Sequence, residues 1–370
     1  MNRQLNESGF RYGIEHELAM INPDGKFSDF TNTTYDQLNQ IIDKLPTYES
    51  DYPSLRVGDL GIKLKRWYIE GYERFSKDGD YLRTDIKGLE IRTPIAHSIQ
   101  EAVKILKDDY AKLVNVANEF KYTPVAVSLN PFTKEFIPNP QLNPWEIDHR
   151  SSPEEQTSYI HMITYGPDVN ISHTDLTVEE IIDIGKKLTY YSPFIVPFSY
   201  SSPFYAGEPW GGLSRRTFYR TGKRPATLVF LGKKSQLISS YPTLTDLARI
   251  PSEVGRIEFK AFDACTDLNL YGSLLALIKG LVLDTSLTRR AVIPDSDMHQ
   301  KSSKVGLHDD YILEQAKKIL RACEAALQPQ DVHLLEPLKQ QLISRSCIAD
   351  RQLKEYNKNK DIIKTLEELS

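Results

Sequence analysis

The stretch Tyr12-Gly13-Ile14-Glu15-His16-Glu17-Leu18-Ala19-Met20-Ile21 alternates along its length. Tyr12, Ile14 and Leu18 fall on one side, and Glu15 and Glu17 on the other. A period of two predicts a β-strand with an apolar and a carboxylate face. Two later stretches repeat the pattern. In Gly88-Leu89-Glu90-Ile91-Arg92-Thr93-Pro94, Glu90 and Arg92 share a face opposite Leu89 and Ile91. In Arg256-Ile257-Glu258-Phe259-Lys260-Ala261-Phe262, Arg256, Glu258 and Lys260 oppose Ile257, Phe259 and Ala261. If these strands are neighbours, the sheet has one greasy face and one crowded with carboxylates. Like charges at that density need water, cationic partners or metal ions between them. The plain alternative for each strand is a solvated sheet face. Three repetitions set a divalent-cation site beside it as an equal reading.

Further strands are expected at Pro124 to Leu129, Tyr159 to Tyr165 and Thr227 to Leu231. His161 on the second of these is a candidate ligand for a metal or a phosphate. Two S/T-x-x-E capping boxes mark helix starts. Ser98-Ile99-Gln100-Glu101 opens a helix to about Phe120, and Thr177-Val178-Glu179-Glu180 opens one through Leu188. Leu268 to Leu283 is apolar enough for a buried helix. Asn130 to Pro153, rich in Pro and Asn, reads as a long loop. Amphipathic helices are expected at Ile312 to Leu327 and Val332 to Ile343, and a more polar one at Gln352 to Leu369. Their apolar stripes are compatible with a homo-oligomer. The expected organisation is a tail over residues 1–9, a core over 10–290 and a helical portion of the same domain over 291–370.

The 370 residues are 40% hydrophobic and 26% charged, which excludes wholesale disorder. Lys and Arg number 46 against 50 Asp and Glu, a net charge of −4, which disfavours nucleic acid as a general partner. Cys265, Cys323 and Cys347 form no C-x-x-C pair, so a reduced, cytoplasmic setting is the default. The apolar run Leu274 to Val282 is interrupted by Lys279, so no membrane span is expected. Residues 214–224 hold five cations, Arg215, Arg216, Arg220, Lys223 and Arg224, after the turn- and aromatic-rich segment 201–212. Arginine forks suit carboxylate and phosphate. A second basic cluster, Lys63, Lys65 and Arg66, precedes Trp67, Tyr68, Glu70 and Tyr72. There is no Walker A loop, no G-x-G-x-x-G after a strand and no G-x-S-x-G elbow. Nucleotide chemistry here would therefore rest on carboxylates, metals and arginines.

In order and spacing, Gly13-Ile14-Glu15-His16-Glu17-Leu18, Glu90-Ile91-Arg92-Thr93-Pro94, Ser202-Pro203-Phe204 with Ser214-Arg215-Arg216, and Gly255-Arg256-Ile257-Glu258-Phe259-Lys260 resemble glutamate–cysteine ligase family 2, in its cyanobacterial-type form. These are ATP-dependent carboxylate–amine ligases with the glutamine synthetase superfamily fold. The resemblance runs from about residue 10 to 290. It implies an α+β fold, with a curved, mainly antiparallel sheet whose concave face holds ATP and Mg2+. By the same resemblance Glu15, Glu17, Glu90, His161 and Glu258 are metal and nucleotide ligands. Arg216 matches the family's S-x-R arginine, with Arg92 and Lys260 as further charge stabilisers, and Asp85 is a looser candidate. The implied activity joins small molecules, glutamate to the amine of cysteine, through an acyl phosphate. A different acid or amine, or a relative that binds without turning over, would use the same site. Two departures stand out. Lys260 replaces the usual arginine and loses its fork, and His161 lacks the histidine-rich strand of many members.

Overall fold

The computed structural model describes residues 4–54, 64–150 and 152–369, so Lys63 of the second basic cluster lies outside the described residues. The main sheet is built from β1 (Phe10–Ile21), β2 (Trp67–Phe75), β3 (Tyr81–Arg92), β4 (Thr123–Val125) and β5 (Pro167–His173). A two-stranded ribbon of β6 (Phe204–Tyr205) and β7 (Glu208–Pro209) follows. The sheet then continues through β8 (Thr227–Leu231), β9 (Thr245–Leu247) and β10 (Ile257–Phe259). Its order is β2-β3-β1-β5-β10-β8-β9, with β4 paired to the far end of β1. Every pairing is antiparallel except β8 with β9. The sheet curls strongly into a half-barrel, and the fold is α+β with a helical C-terminus, as expected.

The alternation in β1 is realised residue by residue. Phe10, Tyr12, Ile14 and Leu18 are buried in the main core, whereas Glu15 and Glu17 face the concave side. Three helices cover the apolar face: Ile99–Glu119, Val178–Ile195 and Leu270–Leu283. The Ser98 side chain caps the first by accepting from the Glu101 N–H, and Glu101 reaches back to the His97 N–H rather than to Ser98. Thr177 caps the second with a complete box. That helix runs seven residues past Leu188, because its second half is buried almost continuously. All fourteen residues of Leu270–Leu283 are buried, since the C-terminal helices close over its outer side.

The structure corrects several local expectations: the stretch Asn130 to Pro153 holds a short helix, Pro144–His149, and the helix expected over Val332 to Ile343 is broken, with its main run at Glu336–Ser344. Tyr159 to Tyr165 is not a strand. It is a short helix, Ser158–His161, followed by a turn and one bridge between Thr164 and Leu129. Ile160, Met162 and Ile163 do not keep a period of two, and the last two are buried with Tyr72, Leu129 and Phe136 in a small cluster of their own. The strand at Pro124 to Leu129 is reduced to Thr123–Val125, because β1 offers pairing only at Ala19–Ile21 there. The C-terminal helix breaks in two at Lys360, in the left-handed region (φ 56°), giving Ile348–Asn359 and Ile362–Glu368.

β5 was not anticipated, yet it is central. Its own alternation, Asp168, Asn170 and Ser172 against Val169, Ile171 and His173, is the signal that would have found it.

Candidate active site

The polar face of the sheet lines a cavity of about 740 Å³. Strand register decides which carboxylates meet there. Glu17 lies opposite Glu90 and Glu15 opposite Arg92 across β1 and β3, while Glu15 faces Asp168 across β1 and β5. Glu258 lies opposite Asn170 across β10 and β5. Side chains paired in this way on one face have Cβ atoms about 5 Å apart.

Two compact groups of ligand atoms result, each within 4.8 Å of one another. The first is Glu15, Asp168 and Glu258. Burial and the neighbouring Glu258 and Asp168 push the Glu15 carboxyl up to about 7, against the pull of Arg256 and Lys260. Burial and Asp168 raise Glu258 as well. Arg256 lies 3.3 Å from Glu15 and 3.1 Å from Glu258, and Lys260 lies 2.5 Å from Asp168 and also contacts Glu258.

The second group is Glu17, Glu70 and His161. His161 Nε2 is 2.7 Å from Glu70. Burial alone would raise Glu70, but His161, Lys87 and a hydrogen bond with Glu90 outweigh it and hold it at about 2. Lys87 Nζ donates to Glu17 Oε1 at 2.5 Å, and the Gly166 N–H donates to Glu17 Oε2 at 2.6 Å. Glu90 lies between the groups. Burial, then Glu70, Glu15 and Glu17, push it well above the usual carboxylate range, although the Tyr68 hydroxyl donates to it at 2.5 Å.

The opposite wall is basic. Arg216, Arg220 and Arg224 line the cavity from the helix Arg215–Arg220 and the turn after it. Arg216 is nearly spent on structure. It donates to the carbonyls of Phe262 (2.7 Å) and Lys260 (3.1 Å) and packs against Gly166, where a Cβ would clash at 2.0 Å. Its Nε, the Arg256 Nε and the Asn170 Oδ1 are buried among the described residues without a hydrogen-bond partner. Burial beside Arg216 and Arg224 drives Arg220 well below the usual guanidinium range. The 203–224 segment is fixed at its base: Ser202 donates to Asp263 at 2.9 Å, and the Ser214 hydroxyl accepts from the Thr217 N–H.

Of the residues singled out from sequence, Glu15, Glu17, Glu90, His161, Arg216, Glu258 and Lys260 line this cavity. His161 arrives from a helix end rather than a strand. Arg92 instead lines an adjoining cavity of about 250 Å³, stacked on Tyr68 at 4.9 Å with its Nε donating to the Lys65 carbonyl. The two cavities share Glu15, Tyr68, Glu253 and Arg256. Asp85 pairs with Arg83 at 2.7 Å, away from the cavity lining. The site residues missed were Asp168, for want of β5, and Glu70 and Lys87. The alternation Tyr68, Glu70, Tyr72 carried the signal for Glu70.

Three carboxylates within reach of one another suit a hard divalent cation, which prefers oxygen ligands. Glu15, Asp168 and Glu258 meet that requirement. The Glu17 group is as compact; both groups already touch cations, Lys260 and Arg256 in the first and the wholly buried Lys87 in the second.

No family model matches the chain, and no curated protein matches it. Solved structures do. A glutamate–cysteine ligase from Francisella tularensis, solved in complex with AMP, superposes with a TM-score of 0.59 at 11% identity, over 100% of this chain and 88% of that one. A bifunctional glutathione synthetase from Pasteurella multocida gives 0.58 at 11% identity over 98% of this chain. The chain spans about half of that protein, 52%. The ligase PafA, in complex with the ubiquitin-like protein Pup, gives 0.50 at 10% identity, over 95% and 68% of the two chains. The fold is thus glutamate–cysteine ligase-like. No helix among the described residues is long and apolar enough to cross a membrane.

Proposed function

We propose that the chain is an ATP- and Mg2+-dependent carboxylate–amine ligase, acting on glutamate and the amine of cysteine to form a γ-glutamyl amide. The observation that carries this reading is one cavity with a three-carboxylate group on its floor and arginines on its wall. Glu15, Asp168 and Glu258 would hold Mg2+, which when bound neutralises phosphate charge and acts as a Lewis acid. Arg220, Arg224 and Lys260 would take the phosphate oxygens. The adjoining cavity, with Ile95, Ile250, Tyr68 and Arg92 on its walls, has the room and the apolar surface for a nucleoside.

The glutamate carboxylate would attack the γ-phosphorus and ADP would leave, giving an acyl phosphate. The cysteine amine would then add to the acyl carbon, lose a proton, and expel phosphate. The donors around the cavity serve this chemistry by being fixed in place before charge moves. Burial and its carboxylate neighbours raise Glu90, which favours its neutral form and would lessen the repulsion of a carboxylate substrate.

The test is phosphate release from Mg-ATP with glutamate, with and without cysteine, alongside mass spectrometry of the product. Release that requires both amino acids and yields γ-glutamylcysteine supports the reading. Release with another acid or amine keeps the ligase and changes its substrate. ATP binding without release for any pair overturns it.

A further inference from the structure

The two ligand groups are alike in size but not in how their compensating cations are held. Lys260 and Arg256 approach the Glu258 group from the two ends of β10, and their side chains are 17% and 23% exposed. Both line the cavity and are partly open to it. Lys87 is held differently. The register of β2 on β3 jumps between Glu70/Gly88 and Gly71/Ile86, so Lys87 is an extra residue in a β-bulge. The bulge turns its side chain into the Glu17 group, where it is wholly buried, 0% exposed. The Tyr165 hydroxyl donates to the Lys87 carbonyl at 3.0 Å, and the Tyr165 ring lies 5.5 Å from Nζ. Next to it, a Cβ on Gly88 would come within 2.3 Å of the Leu18 carbonyl oxygen, so the backbone has no slack.

Inside the group the ligand atoms are already engaged. Glu17 Oε1 accepts from Lys87 and Oε2 from the Gly166 N–H. His161 Nε2 faces Glu70 at 2.7 Å, and its Nδ1 lies 3.4 Å from Lys87 Nζ. Lys87 Nζ is also 4.0 Å from Glu70. A divalent ion seated among these atoms would stand against a fixed ammonium at a few ångströms, with little water between to screen the repulsion.

We infer that Lys87 is a built-in cation standing where a divalent ion would otherwise sit, so that the chain loads metal through Glu15, Asp168 and Glu258 and not through Glu17, Glu70 and His161. This rests on the metal–nucleotide reading above. It separates two groups that the sequence presents as equivalent halves of one E-x-E motif.

The experiment is a titration of the full-length chain with Mn2+ alone, counting free ion by its electron paramagnetic resonance signal. Wild type is expected to bind one Mn2+ tightly. Glu258→Gln loses that ion, whereas Glu17→Gln keeps it within about twofold in Kd, a change under about 0.4 kcal/mol. Lys87→Met and Lys87→Gln each gain a second ion, and adding Glu17→Gln removes the gain. Two ions on wild type, loss of the tight ion in Glu17→Gln, or no second ion in a folded Lys87 variant overturns the inference and leaves the metal–nucleotide reading standing. No Mn2+ on wild type or on any Lys87 variant overturns both. If circular dichroism shows both Lys87 variants unfolded, the Glu17→Gln against Glu258→Gln comparison decides alone.

Discussion

Both faces of the sheet bury charge, and they do so by opposite rules. On the helical face, Lys279 is 1% exposed and lies 2.5 Å from Glu7 and 2.6 Å from Asp331. Lys187 meets Asp284 at 2.9 Å and the Leu281 carbonyl at 2.8 Å. These are closed arrangements, with each cation surrounded by acceptors from its own neighbourhood. On the concave face the carboxylates of Glu15, Glu17, Glu70, Glu90, Asp168 and Glu258 crowd together. Some are pushed up and one is held down. Closed pairs hold helices together, and an unsettled cluster is what a ligand can settle. Frustrated charge on one face of a sheet is accordingly what singles out the concave side as the candidate site.

The sharpest way to break this contrast is to neutralise one charge on each face. Glu258→Gln is expected to cut Mg-dependent ATP turnover at least about a thousandfold, about 4 kcal/mol of barrier, with the melting temperature nearly unchanged. A steady-state assay with a thermal melt checks both, and retained turnover would remove Glu258 from the site. Lys279→Met should do the reverse. It leaves Asp331 buried without its cation, at a cost of about 3 kcal/mol, read by urea denaturation, while turnover at low temperature persists.

The pH response sharpens the contrast further. Glu15 is raised to about 7 in the folded chain, from an ordinary 4.5. The folded state therefore holds this proton more tightly than the unfolded state does. The resulting stability is present below about pH 4.5 and is lost as pH rises through about 7, amounting to about 2–3 kcal/mol. Glu70, held at about 2, acts in the other direction: its contribution is present above about 4.5 and is lost as pH falls toward 2. The metal-free protein should thus melt highest near pH 5 and lose stability toward pH 7.5. Mg2+ should restore that stability, and Glu15→Gln should flatten the decline. A melt series across pH, with and without Mg2+, reads all of this. The smallest effect belongs to the helical face: Ser98→Ala removes the cap of the helix Ile99–Glu119 and should cost about 1 kcal/mol, with no change in turnover.

Much of this was legible in the chain itself. Period-two alternation located β1, the inner half of β3, and β10, and it put Glu15, Glu17, Glu90, Glu258 and Lys260 on one face. Ser98 and Thr177 marked their helices because a cap is a local interaction. What escaped depended on partners far away in sequence. Asp168 sits in a strand as regular as β1, but the run is only seven residues, Pro167–His173, and its place beside β1 and β10 is set by pairing with strands distant in sequence. Lys87 could not be placed at all, because nothing local in Ile86-Lys87-Gly88-Leu89 shows where β2 will slip by one residue. His161 reached the cavity by a helical turn, since Met162 and Ile163 are buried in a cluster of their own.

That slip in β3 sets a rule for change in this region. Ile86 and Leu89 both enter the main core although they are three residues apart, so the strand changes phase at Lys87-Gly88. Deleting one residue there would bring the two halves into a single phase. Ile86 and Leu89 would then stand two apart on the core face, Glu90 and Arg92 would keep their side, and what would be lost is the bulge that turns Lys87 into the Glu17 group. Loops elsewhere in the chain can lengthen or shorten by a residue and leave the floor of the site intact. At this point one residue more or less decides whether the cavity holds a buried ammonium, while the carboxylate face on either side of it stays where it is.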